Sequence, residues 1–461
     1  MAYKVLKFGG SSVASFKEIT RVASIIKHLD NPGQVAVVVS AMKGVTDSLE
    51  ECAQATESGD DDYLNIISNL ELKHLDTIRN LIPVKNQSGI ITQVKIWLNQ
   101  LEDICRGVFL IGELSSKTMD YIYCHGELMS AFILAHTLKH LDVDARFVDS
   151  RKLIKTDDTF GKANVDFETT YELINNIIPK EESIAVLPGF IASTNEGEPI
   201  TLGRGGSDYS AALLAGALNA RELVLWTDVE GVFTADPRIV KKAKPVRTIT
   251  YEEAMELAHF GAKVIYPPTM QPVMERDIPI HIKNTFKPDE PGTIIKSSES
   301  ITEQKVRGIS GLGNISLLTL SGSSMIGVPG VAARLFKALA DSDINIILIT
   351  QASSEHTITV GVMQNEIIRA VKAVKKEFQY EITLHKINPP AVEKSLSIIS
   401  LVGDGMKQQT GIAGELFSSL GKANINIIAI AQGSSERNIS LVVRSEDEKQ
   451  AIIILHNSFF N

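Results

Sequence analysis

The chain has 461 residues, enough for two to four domains. Of these, 44% are hydrophobic and 22% charged, an ordinary globular balance with ample core material. The formal net charge of −9 argues against a nucleic-acid or membrane-surface partner, which would need a basic face, so an anionic ligand would need locally placed cations.

Cys52, Cys105 and Cys124 are widely spaced, form no C-x-x-C pair, and read as buried thiols in a reducing compartment. The N-terminus enters strand-like sequence with no apolar export segment, and no uncharged apolar run reaches membrane-spanning length. A cytoplasmic protein is the expectation.

In chain order, Tyr3–Phe8 reads as a buried strand broken by Gly9-Gly10-Ser11-Ser12, with a helix pattern through Ile19, Val22, Ala23 and Ile26. Val35–Val39 is a second strand, with Ser40 to Thr46 as its outgoing loop. Strand, polar loop and helix repeat, the signature of an α/β sandwich whose ligands sit at the strand carboxyl ends. Residues 47–122 read as mostly helical, with an exposed break at Glu57–Asp62. Val94, Trp97, Leu98, Leu101, Ile104, Cys105 and Val108 form one apolar stripe of ordinary helix packing. Cys124-His125-Gly126-Glu127 leads into an apolar helix, Leu128 to Leu138. Ala145–Val148, Ser183–Leu187, Leu223–Trp226 and Ile278–Lys283 are further strands, and a helix is expected near Tyr251–Phe260.

Between Ser183–Leu187 and Leu223–Trp226 lies Leu202-Gly203-Arg204-Gly205-Gly206-Ser207-Asp208-Tyr209-Ser210, a glycine loop between a strand and a helix. Its glycines allow close backbone approach, and the helix N-terminus favours an anion. Arg204 offers a planar fork for a carboxylate or phosphate, and Asp208 an acceptor for an ammonium. A plain strand-to-helix turn capped by Ser207 or Asp208 explains the loop alone equally well. No P-loop and no complete G-x-G-x-x-G occurs.

Phe286 to Ser300 is rich in Pro, Gly, Ser and charge, and closes a first domain at 1–295 with a helical insert near 55–120. Beyond it the chain repeats itself. Gly330, Leu335-Phe336, Ile344–Ile347 and Gln351–Glu355 return as Gly411, Leu416-Phe417, Ile425–Ile428 and Gln432–Glu436, at a constant offset of 81 residues. Each copy has the βαββαβ order of a ferredoxin-like unit. Domains at 305–390 and 391–461 are expected, with the C-terminal segment available to complete the first.

Lys7 stands inside an apolar strand just before Gly9-Gly10, where it could reach a moving phosphoryl group cradled by glycine amides. A snorkelling strand lysine is the alternative. Thr227-Asp228 ends a strand, where Asp228 could simply cap the turn. Glu127 could be an ordinary acid at a helix N-terminus, and His125 reads as structural. No His, Asp and Glu cluster has metal-site spacing, and no G-x-S-x-G elbow occurs. These residues describe an α/β enzyme for phosphates and a small zwitterionic or anionic substrate. A nucleotide-dependent kinase and a small-molecule sensor both remain open.

Together the motifs resemble those of the aspartokinases. They are Lys7–Val13, Gly203–Tyr209, Trp226-Thr227-Asp228-Val229 and Phe260-Gly261-Ala262-Lys263-Val264, in the family's order, followed by a tandem that resembles its pair of ACT domains. Asp404-Gly405-Met406 and the two Gln…Ser-Ser-Glu segments are most similar to the kinase half of the bifunctional aspartokinase–homoserine dehydrogenases. The chain stops at Asn461 without a dehydrogenase half, which leaves a monofunctional relative or a truncated form open.

The resemblance implies an amino-acid-kinase-like αβα sandwich followed by two ACT domains. It implies MgATP-dependent phosphorylation of the L-aspartate β-carboxylate to 4-phospho-L-aspartate, the first step toward lysine, threonine and methionine. It assigns Lys7 and Asp208 to catalysis. Ser40, Thr46, Glu127, Arg204, Ser207 and Asp208 go to the substrate, with Lys7, Gly9, Gly10, Ser11, Thr227, Asp228, Phe233, Arg238 and Lys263 on the nucleotide. The Mg²⁺ ligands stay unknown. Phe233 stands where the family usually has tyrosine, and Tyr266 replaces a usual histidine. Asn345, Gln351, Asn426 and Gln432 are implied effector contacts, with threonine favoured over lysine, in a homodimer or homotetramer joined through ACT domains. An inactive amino-acid sensor and another kinase of the same superfamily are the alternatives.

Overall fold

The computed structural model describes residues 3–29, 34–180, 183–261, 265–297, 305–351 and 356–460. The chain forms two compact units. The first comprises residues 1–232, 247–251 and 264–298; the second comprises 233–246, 252–263 and 299–461. Two runs inside the expected 1–295 domain thus cluster with the C-terminal tandem.

The strands of the first unit are β1 (Lys4–Phe8), β2 (Val35–Val39), β3 (Ala145–Phe147), β4 (Lys155–Thr156), β5 (Ile184–Pro188), β6 (Ile191–Thr194), β7 (Pro199–Thr201), β8 (Glu222–Thr227), β9 (Thr248–Thr250), β10 (Ile280–Asn284) and β11 (Thr293–Lys296). Among the described residues the main sheet runs β3-β5-β2-β1-β8-β10-β11-β9, and β4-β6-β7 form a small second sheet. The central strands are parallel and in register, so Phe8 lies beside both Val39 and Trp226, and Asn284 beside Thr227. Their carboxyl ends therefore emerge along one edge. β2 is buried at all five positions, as a strand covered on both faces must be.

The longer helices here are α1 (Phe16–Lys27), α2 (Val45–Glu57), α3 (Tyr63–Leu81), α4 (Val84–Ile111), α5 (Ser116–His140), α6 (Phe167–Ile177) and α7 (Gly206–Ala217). The α4 stripe does pack inward: Val94, Leu98, Leu101, Cys105 and Val108 are buried. Leu6 and Phe8 join the core built with α1 to α5. Side chains alternate along a strand, so Lys7 points to the opposite face, the one that carries α7.

The second unit holds β12 (Gly308–Ser321), β13 (Leu348–Gln351), β14 (Thr357–Met363), β15 (Ala391–Val402), β16 (Ala429–Ala431) and β17 (Asn438–Arg444). They form one sheet in the order β13-β14-β12-β15-β17-β16. The offset of 81 residues is physical as well as textual. Left-handed backbone recurs at Asn314 and Ser395, Gly327 and Gln408, Gly330 and Gly411, and Asp343 and Asn424. Asn314 and Ser395 mark irregular points in the two long central strands, each of which serves both repeats. The first half of β12 pairs with the second half of β15. The C-terminal helix (Glu448–Phe460) buries Ala451, Ile452 and Leu455 with Leu416 and Leu420. It therefore completes the second repeat, contrary to the expectation that the C-terminal segment could complete the first. The edge strands also meet: the Thr350 hydroxyl donates to the Ile430 carbonyl at 3.1 Å.

Candidate active site

At the carboxyl edge of the main sheet, the first unit forms an open cavity of about 650 Å³. Its walls bring together Lys7, Gly10, Ser40, Thr46, Glu127, Arg204, Ser207 and Asp208, contributed by four stretches far apart in sequence.

The Lys7 ammonium and the Asp208 carboxylate meet at 2.6 Å, with side chains only 13% and 19% exposed. Arg204 is exposed on the loop before α7 and has no ion-pair partner among the described residues. The N-terminus of α2 opens into the cavity through Gly44 and Thr46, and that of α7 through Gly206 and Ser207. The first amide of each is used locally, Val45 donating to the Met42 carbonyl and Gly206 to that of Gly203, and both helix ends supply partial positive charge.

The cap of α7 differs from the expectation. Neither Ser207 nor Asp208 is the N-cap; Gly205 is, with φ +73° and no side-chain cap. The left-handed backbone needs glycine, and a Cβ there would stand 2.7 Å from Tyr266 Cβ. Ser207 and Asp208 fall in the first helical turn instead, which leaves their side chains to the cavity. Phe190 carries a left-handed φ of +66° in the cavity wall, and its ring would meet a Cβ on Gly206 at 2.6 Å. Strain of this kind at a non-glycine residue is typical of functional sites.

Glu127 also departs from the simple reading. The helix begins at Ser116, so Glu127 sits in its interior, 3% exposed, and is no N-terminal helix acid. It accepts a backbone hydrogen bond from Ala41, yet its Oε2 has no hydrogen-bond partner among the described residues. Burial pushes its pKa up to about 8, against smaller opposing effects of the Ala41 bond and Lys7. An acid held there with one oxygen unbonded is suited to meet an arriving cation.

Asp120 and Tyr123 line the same cavity and were not singled out from sequence. With Glu127 they lie at helical spacing on one face of α5. A polar stripe in an otherwise apolar helix is the signal that could have found them.

The glycine amides after β1 are only partly available. Gly9 donates its N–H to the Trp226 carbonyl at 3.1 Å, as a continuation of the sheet. The cradle expected there is left to Gly10 and Ser11, which open a short 3₁₀ turn. Thr227 and Asp228 end β8 as expected, with Thr227 Oγ1 donating to Asp228 Oδ1 at 3.2 Å. Phe233 and Arg238 belong to the second unit, where Phe233 bridges to Pro245 and Arg238 forks onto Asp236 at 2.6 Å. Lys263 lies outside the described residues.

In the second unit, Asn345, Gln351, Asn426 and Gln432 are all exposed. Gln351 ends β13 and Gln432 directly follows β16, the two edge strands that meet. Ser353, Ser354 and Glu355 of the first repeat lie outside the described residues.

Comparison with known proteins fits this division. The model of the amino acid kinase family matches residues 2–284, and the ACT domain model matches 318–378 and 399–459. The lysine-sensitive aspartokinase 3 of Escherichia coli is 32% identical, over 99% of this chain and 99% of its own length. The chain belongs to the aspartokinase family. Among relatives, the bifunctional aspartokinase/homoserine dehydrogenase of Haemophilus influenzae is 37% identical over 99% of this chain. A bifunctional chloroplastic enzyme of Arabidopsis thaliana is 35% identical over the same share. The chain spans only 56% and 51% of those two proteins, about half their length. The crystal structure of E. coli aspartokinase III with aspartate and ADP matches along the whole of both chains, with a TM-score of 0.85 and 31% identity.

Among the described residues of this aspartokinase-family chain, no group of three or more His, Cys, Asp or Glu side chains is placed to hold a metal ion. No helix among them is long and apolar enough to cross a membrane.

Proposed function

We propose that this protein is an aspartate kinase, which transfers the γ-phosphoryl group of ATP to the β-carboxylate of L-aspartate. The convergence of Lys7, Glu127, Arg204 and Asp208 in one cavity carries the reading. Lys7 neutralises charge on the phosphoryl group in transit, with Gly10 and Ser11 as backbone donors. The Arg204 fork grips a substrate carboxylate, and Ser40, Thr46 and Ser207 offer hydroxyls around it. Glu127 and Asp208 receive the ammonium, and binding a cation favours the ionised form of Glu127. Thr227 and Asp228, at the carboxyl end of β8, face the nucleotide. Most of the rate comes from positioning and charge, since phosphoryl transfer needs little other chemistry.

Magnesium is the expected companion of ATP, and when bound it neutralises phosphate charge. It usually binds through one or two carboxylates plus substrate phosphates, so the sparse acidic set here fits it without a dedicated cage.

The tandem repeat is the regulatory half of the proposal. An amino-acid effector of the aspartate pathway binds at Gln351 and Gln432, with Asn345 and Asn426 nearby in sequence. A side-chain amide both donates and accepts, as a small zwitterion requires. Threonine is the favoured effector. Lysine is the second reading, favoured by the full-length match to a relative named lysine-sensitive. The proposal includes a cytoplasmic homodimer or homotetramer. ADP release should depend on added L-aspartate and fall with threonine. Aspartate-independent release would reject the substrate, and inhibition by lysine alone would reject the effector.

A further inference from the structure

Asp120 is 2% exposed, and both of its carboxylate oxygens are engaged. Oδ1 accepts the Thr201 hydroxyl at 2.5 Å, and Oδ2 accepts the Gly161 N–H at 2.9 Å. The Thr201 backbone N–H adds a third bond. A buried carboxylate is costly unless such donors surround it, so these three bonds must form together.

They tie three separate pieces of the cavity wall. Asp120 lies two helical turns before Glu127 on α5. Thr201 is the last residue of β7, three positions before Arg204. Gly161 is the tip of the 157–164 loop and itself lines the cavity. That loop is closed at its base by Asp157, which accepts the Asn164 N–H at 2.9 Å and the Asn164 side-chain amide at 2.7 Å. Its base is thus held locally, while Asp120 fixes its tip.

We propose that Asp120 is a positioning residue, a buried clamp that sets Arg204 and the 157–164 loop against Glu127 and so shapes the half of the cavity that takes the amino-acid substrate. The inference rests on the aspartate kinase reading for the identity of that substrate. Asparagine cannot reproduce the clamp. Its carbonyl can keep the Gly161 N–H and its NH₂ can donate to the Thr201 hydroxyl, but that NH₂ then opposes the Thr201 backbone N–H, so one bond and the charge are lost. Thr201→Val removes the hydroxyl, and Thr201→Ser retains it.

The test pairs steady-state kinetics with hydrogen exchange on the full chain. Asp120→Asn and Thr201→Val should each raise KM for aspartate about tenfold, the range expected when one bond to a charged group is lost. KM for ATP should stay within about twofold, and Thr201→Ser should behave as wild type. The Asp120→Asn/Thr201→Val double variant should be little worse than either single one, because both break the same clamp. The Gly161 amide should exchange faster in Asp120→Asn than in wild type. Equal rises in both KM values, additive effects, or an unchanged Gly161 exchange rate would each overturn the clamp. A wild-type protein that turns over no aspartate would overturn the kinase reading instead, and the exchange experiment would then decide the clamp alone.

Discussion

Each unit buries a glutamate, and the two are treated differently. In the second unit Glu253, 1% exposed, accepts the Asp404 N–H at 2.7 Å and lies 3.4 Å from the Arg307 guanidinium. In the first unit Glu127, 3% exposed, has Oε2 without a partner and a pKa raised to about 8 by burial. A buried charge with its donors in place is part of the scaffold. One left short of donors, on the wall of a cavity, awaits a ligand.

The largest expected effect lies beside Glu127. Lys7→Ala should lower kcat by about 10²–10³-fold or more, the range for losing one preorganised group aimed at transition-state charge. Effector binding, followed by calorimetry, should persist. A variant with full turnover would remove Lys7 from the mechanism. Glu253→Ala should act on the fold instead, with about 3–5 kcal/mol lost in denaturant unfolding, as for other broken buried pairs. If it unfolds like wild type, the contrast between the two glutamates fails.

Glu127→Gln sharpens the comparison through pH. The folded protein holds the Glu127 proton up to about pH 8, while the unfolded chain releases it near the ordinary value of 4.5. Across that window the native state binds more protons, so this residue makes stability fall as pH rises from about 5 to 8. The Gln variant should show a flatter melting profile over this range. Aspartate affinity in wild type should rise over the same range with proton release, since an ammonium favours the carboxylate. A Gln variant with the wild-type pH profile would contradict the assignment. The smallest effects are expected in the tandem repeat. Gln351→Ala and Gln432→Ala should each raise the half-inhibitory effector concentration about tenfold, within the usual coupling of ~1–3 kcal/mol, at an unchanged uninhibited rate. Wild-type sensitivity in both variants would remove the glutamines from the effector site.

Much of the first unit was legible because its chemistry breaks local rules. Lys7 is a lysine in an apolar strand, and Gly203 to Gly206 is a glycine loop at a helix start. The extent of α5 was not, because the apolar helix from Leu128 reads as separate from the mostly helical stretch to residue 122, so Asp120 and Tyr123 were not seen to share a face with Glu127. The short strands β4, β6, β9 and β11 were missed too. They run two to four residues, too few for periodicity to show. Engagement of the Gly9 amide by Trp226 is a long-range pairing that no local signal carries. In the second unit the 81-residue repeat revealed the tandem directly. Its shared central strands stayed hidden, since half of each pairs outside its own repeat. The clustering of 233–246 and 252–263 with the tandem likewise depends on tertiary packing.

The most direct test of the central claim is ADP formation from ATP with L-aspartate as the varied substrate, alone and with threonine, lysine or both. Saturable, aspartate-dependent turnover that threonine suppresses is the predicted result. No turnover, together with saturable amino-acid binding to the same chain, would contradict the kinase assignment and make the protein a sensor.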